Sequence, residues 1–475
     1  MKKVVEIIEY LKARNVYLGL AGENIRFRGP KQAITPEIVD EMKSHKAEIV
    51  SYLNMEAAPD GTPLRNNIIL GDSQERLKSV PDNSIDLMVT DPPYGIGFMG
   101  KDWDKALPKI EIWQECLRVL KPGAFAFVMC GPRQDVLSRM INSLESAGFR
   151  VDYTSLYWTY ASGFPKAQNI GRALDKKAGA ERLAIGRNPN SRENCDRSNT
   201  IYQSGTVGKT AYITQPATEM AKALDGAYAG FQPKPAVEVI IVAMKPCAER
   251  TYSDQAKSNS KGITWLDDCR IPYSNPDEIP TTSNIPEGGF DRVDDRGRRY
   301  KLGGNGYKYF FYKGDLEKAK IGRFPANFLV SDDILSDENF IDYSRFFSLD
   351  VWAEQYLPFL IVPKASKREK DAGIEGGVKE IDTRTPTAKG SMVKKGLQPG
   401  KNIHPTVKPL RLMAYLITMG SREGDIVLDP FSGSGTTCIA AMMLNRDFIG
   451  MEISPEYHQI ALKRLEHYRR KMAAA

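Results

Sequence analysis

Cysteine is scarce and scattered: Cys116, Cys130, Cys195, Cys247, Cys269 and Cys438 are the six in 475 residues. No two stand at the CxxC spacing that forms half of a zinc site or a redox pair, so the sequence predicts reduced thiols and implies no metal. No apolar run approaches the roughly 20 residues that cross a bilayer. The start, Met1-Lys2-Lys3-Val4-Val5-Glu6, lacks the uninterrupted apolar stretch of an export signal. A chain neither exported nor embedded is expected, with a cytoplasmic setting. A strong excess of one charge is also missing. With 66 Lys and Arg against 59 Asp and Glu the net charge is +7, which permits a polyanionic partner without requiring one.

What is there is ordinary globular material, 41% hydrophobic and 26% charged, long enough for roughly three domains. Residues 1–56 read as a small helical module. Val4, Val5, Ile7, Ile8 and Leu11 recur at helical spacing, a strand-like Ile25-Arg26-Phe27-Arg28 follows Gly22, and Thr35-Pro36 supplies an N-cap and first-turn proline for a helix through Leu53. Ala57 to Pro63 reads as a linker.

From residue 64 strands and helices alternate, the pattern of a parallel α/β sheet. Expected strands are Asn67 to Leu70, Ile85 to Thr90, Ala124 to Cys130, Val151 to Trp158 and Val237 to Met244, with helices over Ile112 to Leu120 and Gln134 to Ala147. The stretch 163–234 interrupts them with eleven basic against six acidic residues, five of the chain's net +7. Interleaved with Tyr202 and Tyr212, this basic insertion favours contact with phosphates, and Lys166, Arg187, Arg192 and Arg197 are its candidate contacts. A second irregular stretch, 246–357, holds many tyrosines and glycines and reads as a substrate-selecting region. The segment 358–475 returns to the core at Phe359 to Val362 and continues through an apolar helix from Leu410 and strands before Asp429 and Glu452.

Two short motifs carry the chemistry. Asp91-Pro92-Pro93-Tyr94 closes one apolar strand, and Asp429-Pro430-Phe431-Ser432-Gly433-Ser434-Gly435 closes another. An exocyclic amine on a nucleobase is a poor nucleophile because its lone pair is delocalised into the ring. The Asp91 carboxylate and the Pro92 carbonyl could accept its two hydrogens, the prolines would fix the turn, and Tyr94, with Phe98 nearby, could stack on the base. Such a pocket reaches only a base flipped out of its duplex. In the second motif Gly433 and Gly435 allow close backbone approach, Thr436 starts a helix with open N–H groups, and Glu452 ends the next strand where a carboxylate can hold ribose hydroxyls.

These motifs, with His404-Pro405-Thr406-Val407-Lys408-Pro409, resemble the DNA amino-methyltransferases of the permuted, beta-type arrangement, in which the catalytic motif precedes the cofactor loop. The likeness covers most of residues 66–465. Segments similar to Ala161 to Lys166, Lys234 to Glu238 and Gly322 to Asn327 occur among the site-specific methylases of phages and prophages. The resemblance implies a circularly permuted, Rossmann-like S-adenosylmethionine-dependent fold. It divides the chain into a catalytic half over 64–245, a target-recognition region over 246–357 and a cofactor half over 358–475. It further implies that Asp72 meets the cofactor adenine and Glu452 its ribose, and that Lys408, Pro409 and the Phe431 to Gly435 loop line its methionine end. Asp429 and Thr436 flank that loop. His404 is assigned no acid–base task. The implied substrate is double-stranded DNA in a bacterial or phage-infected cell, and the chain would act as a monomer or homodimer.

The first motif residue, Asp in place of Ser, favours adenine N6 over cytosine N4. Methylation at carbon is disfavoured because no Pro-Cys nucleophile motif is present, and RNA or protein-glutamine methylation is disfavoured by the motif order. A non-enzymatic DNA-binding or assembly protein remains the alternative from another class. The N-terminal module resembles the docking domains of peptide-synthetase assembly lines, which implies a protein partner through residues 1–56.

Overall fold

A computed structural model describes residues 7–8, 10–21, 24–30, 34–54, 61–97, 104–160, 167–187, 212–231, 236–273, 277, 279, 291–293, 299–302, 308–309, 320–331, 346–356, 367–374, 378–381, 396–399, 404 and 406–474. The chain divides into two units, Met1–Ala161 with Val237–Ala475, and Ser162–Ala236. Of the candidate residues, Phe98, Lys166, Arg192, Arg197, Tyr202, Pro405 and the Phe359 to Val362 segment lie outside the described set.

The centre of the first unit is an eight-stranded sheet. Its strands are β1 (Asn67–Leu70), β2 (Ile85–Thr90), β3 (Leu120–Cys130), β4 (Leu156–Thr159), β5 (Val237–Met244), β6 (Phe328–Val330), β7 (Ile426–Asp429) and β8 (Asp447–Glu452). Their spatial order is β6-β4-β5-β3-β2-β7-β8-β1. All pairs are parallel except those of β5, which runs against both β3 and β4. The expected α/β class is therefore the observed one. β2 is buried along its whole length, as a strand covered on both faces must be. From Leu87 on its side chains alternate between two cores: Leu87 and Val89 join Phe127, Leu410 and Ile439, while Met88, and Ile85 before the irregularity in register, join Trp113, Val128 and Met140. Helices thus cover both faces.

Several boundaries differ from those expected of the sequence. The helix expected over Ile112 to Leu120 is Ile110–Val119, and Leu120 with Lys121-Pro122-Gly123 already lies inside β3, where the register against β2 is irregular between Ile85 and Leu87. The expected strand from Val151 shrinks to Leu156–Thr159. The stretch 246–357 contributes β6 and the helix Leu349–Tyr356, whose Trp352 is fully buried in the sheet's core.

The N-terminal module adds a second strand to the helices and the strand-like Ile25 to Arg28 expected of it. Tyr17–Ala21 and Asn24–Arg28 form an antiparallel hairpin. The helix from Pro36 stops at Ser44, and a second, Lys46–Asn54, follows His45. Ile7, Ile8, Leu11, Val16, Met42, Ile49 and Leu53 make a core of their own.

In the second unit, helix Ile170–Ala178 and the hairpin Ala184–Arg187 with Tyr212–Thr214 are organised around buried Asp175. Its carboxylate accepts from the backbone N–H groups of Ala217 and Thr218, from the Thr218 hydroxyl and from Arg182. Burial raises its pKa, but those donors prevail and hold it below the ordinary carboxylate range. Arg182 is thereby an internal structural cation, and Arg187 closes the first strand of the hairpin.

Candidate active site

The two motifs sit at the carboxyl ends of neighbouring parallel strands, β2 and β7, although 339 residues separate Thr90 from Asp429. The Thr90 hydroxyl donates to Asp429 Oδ1 at 2.7 Å. The Phe431 N–H donates to the same oxygen at 3.1 Å. Burial pushes Asp429 up to about 6, the Thr90 and Thr437 hydroxyls pulling the other way. Asp429 thus ties the two strand ends together.

The Asp91 turn is held from below by buried Asp104, whose Oδ1 accepts from the N–H groups of Tyr94 and Gly95 at 2.7 and 3.0 Å. The Tyr94 hydroxyl donates to Asp91 Oδ1 at 2.6 Å. Asp91 Oδ2 lies 2.9 Å from Lys408 Nζ, which also lies 3.0 Å from Glu238 Oε2. Burial alone would lower the Lys408 pKa, but the two carboxylates raise it above the ordinary lysine value. Burial first, then Asp91 and Glu238, push the Tyr94 phenol well above its usual range. Both Asp91 oxygens therefore already hold a donor.

The glycine loop is fixed by a second set of contacts. Gly433 and Gly435 have φ of 52° and 78°, left-handed values that favour glycine. A Cβ on Gly433 would stand 2.7 Å from His404 Nε2. His404 packs edge-on against Tyr457, and burial, followed by Arg464 and Lys408, pushes it down to about 3, so the ring is neutral. Glu452 accepts from the N–H groups of Gly433 at 2.8 Å and Ser454 at 2.7 Å. Burial pushes it up to about 7. Asp72 caps the helix Ser73–Leu77, accepting from Gln74 N–H at 2.8 Å. The neighbouring Ser73 hydroxyl donates to the Pro430 carbonyl at 2.5 Å, and Gly71 N–H to the Glu452 carbonyl at 2.9 Å. Asp72, the loop and Glu452 therefore converge. Phe431 lies edge-on to Trp113, and Pro409 precedes the buried helix Leu410–Gly420.

Sequence reasoning missed two residues here. Arg464, fully buried, donates from Nη1 to the Ser434 carbonyl, the Ser434 hydroxyl and the Thr436 hydroxyl at 2.6, 2.9 and 3.1 Å. Its signal was its place on the buried stripe Tyr457, Ile460, Ala461, Arg464, Leu465, Tyr468 of a long helix. Glu238 ends the segment Lys234 to Glu238, which the resemblance singles out without giving it a role. A charge in the otherwise apolar Val237–Met244 was its signal. Among the described residues, no group of three or more His, Cys, Asp or Glu could hold a metal ion, and no helix is long and apolar enough to cross a membrane.

The DNA methylase family model matches residues 85–463, most of the chain and both motifs. The chain belongs to this family. A model of TubC N-terminal docking domains matches residues 4–54. Among curated relatives, the Type II methyltransferase M2.DpnII of Streptococcus pneumoniae is 48% identical over 77 residues, 16% of this chain and 28% of that one. The DNA adenine methyltransferase YhdJ of Escherichia coli is 50% identical over 68 residues, 14% of this chain and 23% of that one. The chain thus matches about a quarter of those relatives' lengths. Among solved structures, the PvuII cytosine-N4-specific DNA methyltransferase aligns with TM-score 0.36 and 15% identity over 86% of this chain and 93% of its own.

Proposed function

We propose that this chain is a site-specific DNA amino-methyltransferase of the permuted, beta-type arrangement. It methylates the exocyclic amine of a flipped-out base, adenine N6 in double-stranded DNA, with S-adenosylmethionine as donor. The observation that carries the reading is the Thr90 to Asp429 hydrogen bond. It joins an amine-accepting turn to a backbone cradle on adjacent strand ends, where α/β sheets bind ligands.

The residues suit the cofactor. The helix Thr436–Met443 begins at Gly435 without a side-chain cap, so its first N–H groups are open to a ligand. Glu452 would supply a buried carboxylate for ribose hydroxyls beside that cradle, Asp72 would meet the adenine, and Lys408, paired with Asp91, would line the methionine end with Pro409 and Phe431. Bound S-adenosylmethionine supplies an electrophilic methyl group on a sulfonium. The chain's own task is to prepare the amine. Asp91 and the Pro92 carbonyl accept its two hydrogens, which localises the lone pair on nitrogen, and Tyr94 stacks on the base. The nitrogen lone pair would form the new N–C bond as the methyl's bond to sulfur breaks and leaves its electron pair on a neutral thioether, and the surplus proton would leave to Asp91 or water. Flipping costs a few kcal/mol, offset by stacking and edge hydrogen bonds.

Adenine is favoured by Asp at position 91, and one of the relatives is named a DNA adenine methyltransferase. The segments Ala161 to Lys166, Lys234 to Glu238 and Gly322 to Asn327 support a place with the phage and prophage enzymes. The basic insertion, with Lys166, Arg187, Arg192 and Arg197, contacts DNA phosphates. Residues 1–56 dock a protein partner, a reading supported by the self-contained core of that module and by the docking-domain match.

Asp91→Ala tests the assignment: it keeps cofactor and DNA binding and loses methyl transfer, and near-normal transfer by the variant would sink the reading. Sequencing the DNA of expressing cells with a method sensitive to N6-methyladenine and N4-methylcytosine identifies both base and site. N4-methylcytosine there would replace adenine with cytosine as the target.

A further inference from the structure

Three charged groups meet at the head of the Asp91 turn, and the geometry sets two carboxylates against one ammonium. Lys408 Nζ is 2.9 Å from Asp91 Oδ2 and 3.0 Å from Glu238 Oε2. The Lys408 side chain is 9% exposed, that of Asp91 17% and that of Glu238 18%. The other Asp91 oxygen holds the Tyr94 hydroxyl at 2.6 Å. An entering amine needs an Asp91 oxygen, and the one that can be released without breaking the turn is Oδ2. A buried ammonium cannot simply let go of its counter-charge, because a desolvated unpaired ion is costly. Glu238 removes that obstacle, since Lys408 already lies within ion-pair distance of it on the other side and draws down a carboxyl that burial raises.

We propose that Glu238 is a positioning residue that takes Lys408 from Asp91 when the target amine arrives. The proposal rests on the methyltransferase function and adds a residue to its site. Glu238 enters from β5, the one strand that runs against its neighbours. Reversal puts the beginning of this strand at the level where the others end, so a charge at its second position reaches the site while the rest of the strand stays apolar. Tyr94 keeps its proton, because burial and the two carboxylates raise its phenol. The exchange therefore concerns Lys408 alone. With the ammonium moved to Glu238, Asp91 Oδ2 accepts an amine hydrogen and the pair of carboxylates keeps one excess negative charge beside the nitrogen as positive charge grows there.

The test uses the full chain, unmethylated plasmid DNA and tritiated S-adenosylmethionine. In Glu238→Gln the ammonium stays on Asp91, so the methyl-transfer rate at saturating substrates falls about 100-fold, while both dissociation constants stay within about threefold of wild type. Glu238→Asp recovers part of the rate. The sharper expectation is that Glu238→Gln with Lys408→Met is faster than Glu238→Gln alone, since nothing then occupies Asp91 Oδ2. A Glu238→Gln variant at the wild-type rate, or a double variant no faster than it, overturns the proposal. Melting temperatures of wild type, both single variants and the double variant read the linkage without methyl transfer. The double variant loses less than the sum of the singles, and an additive cycle overturns the linkage. A coupled cycle in a wild type that methylates no DNA would keep the linkage and remove the functional reading.

Discussion

At Glu452 one residue joins three parts of the chain: its carboxylate takes the N–H groups of Gly433 and Ser454, and its carbonyl takes that of Gly71. Burial raises this carboxyl to about 7, against the pull of those N–H groups. In the proposed cofactor role of Glu452, ribose hydroxyls would donate best to the ionised form, so cofactor affinity measured by calorimetry is expected to rise as pH increases through about 7. Glu452→Gln binds about tenfold more weakly, with a flat pH profile. The sign for folding is opposite. A carboxyl that holds its proton more tightly when folded stabilises the chain fully below its ordinary value of 4.5, and that stabilisation is lost as pH rises to about 7. Urea titrations of wild type against Glu452→Gln read the difference, and equal slopes in that range would refute it.

Among the elements, the long periodic ones were legible because burial on both faces writes itself into composition. Ile85–Thr90 and Val237–Met244 are apolar runs of strand length, and the motifs that follow strands point to strand ends. What was not legible were contacts between distant segments. Nothing near Lys408 announces that its ammonium meets Asp91 and Glu238, and Phe328–Val330 is too short to signal a strand by period. Tyr17–Ala21 was hidden because only its partner strand had a recognisable pattern. The helix Pro455–Ala473 illustrates the middle ground: its stripe was readable, but the meaning of an arginine on it was not. Arg464→Leu leaves Ser434 and Thr436 without their buried donor and costs about 3 kcal/mol by urea unfolding. A change within about 0.5 kcal/mol would show that the glycine loop holds itself. Trp352→Ala, in the helix Leu349–Tyr356, costs about 3 to 5 kcal/mol. A negligible loss there would remove that helix from the sheet's core.

For the whole molecule the informative contrast is between the amino-terminal module and the sheet. The carboxylate Asp86 lies inside β2 and pairs with Lys121 at 2.6 Å and Lys261 at 2.9 Å, and Lys261 also pairs with Asp425 beside β7. Segments from both ends of the chain are thus locked by buried charge as well as by strand pairing, so neither half of the sheet is expected to fold without the other. The module over residues 1–56 takes no part in that lock. Its buried residues Ile7, Leu11, Val16, Ile49 and Leu53 pack on one another and not into either core of the sheet. A described tie between the module and the rest of the chain is Arg65, its side chain 9% exposed, stacked over Tyr52 at 3.6 Å, a contact of about 2 kcal/mol when desolvated. A chain starting at Gly61 should therefore melt within about 5 °C of the full protein and methylate plasmid DNA at an undiminished rate. Should the shortened chain instead unfold or lose transfer with its melting temperature intact, the module would be part of the enzyme's own machinery and its reading as a separate docking unit would fall.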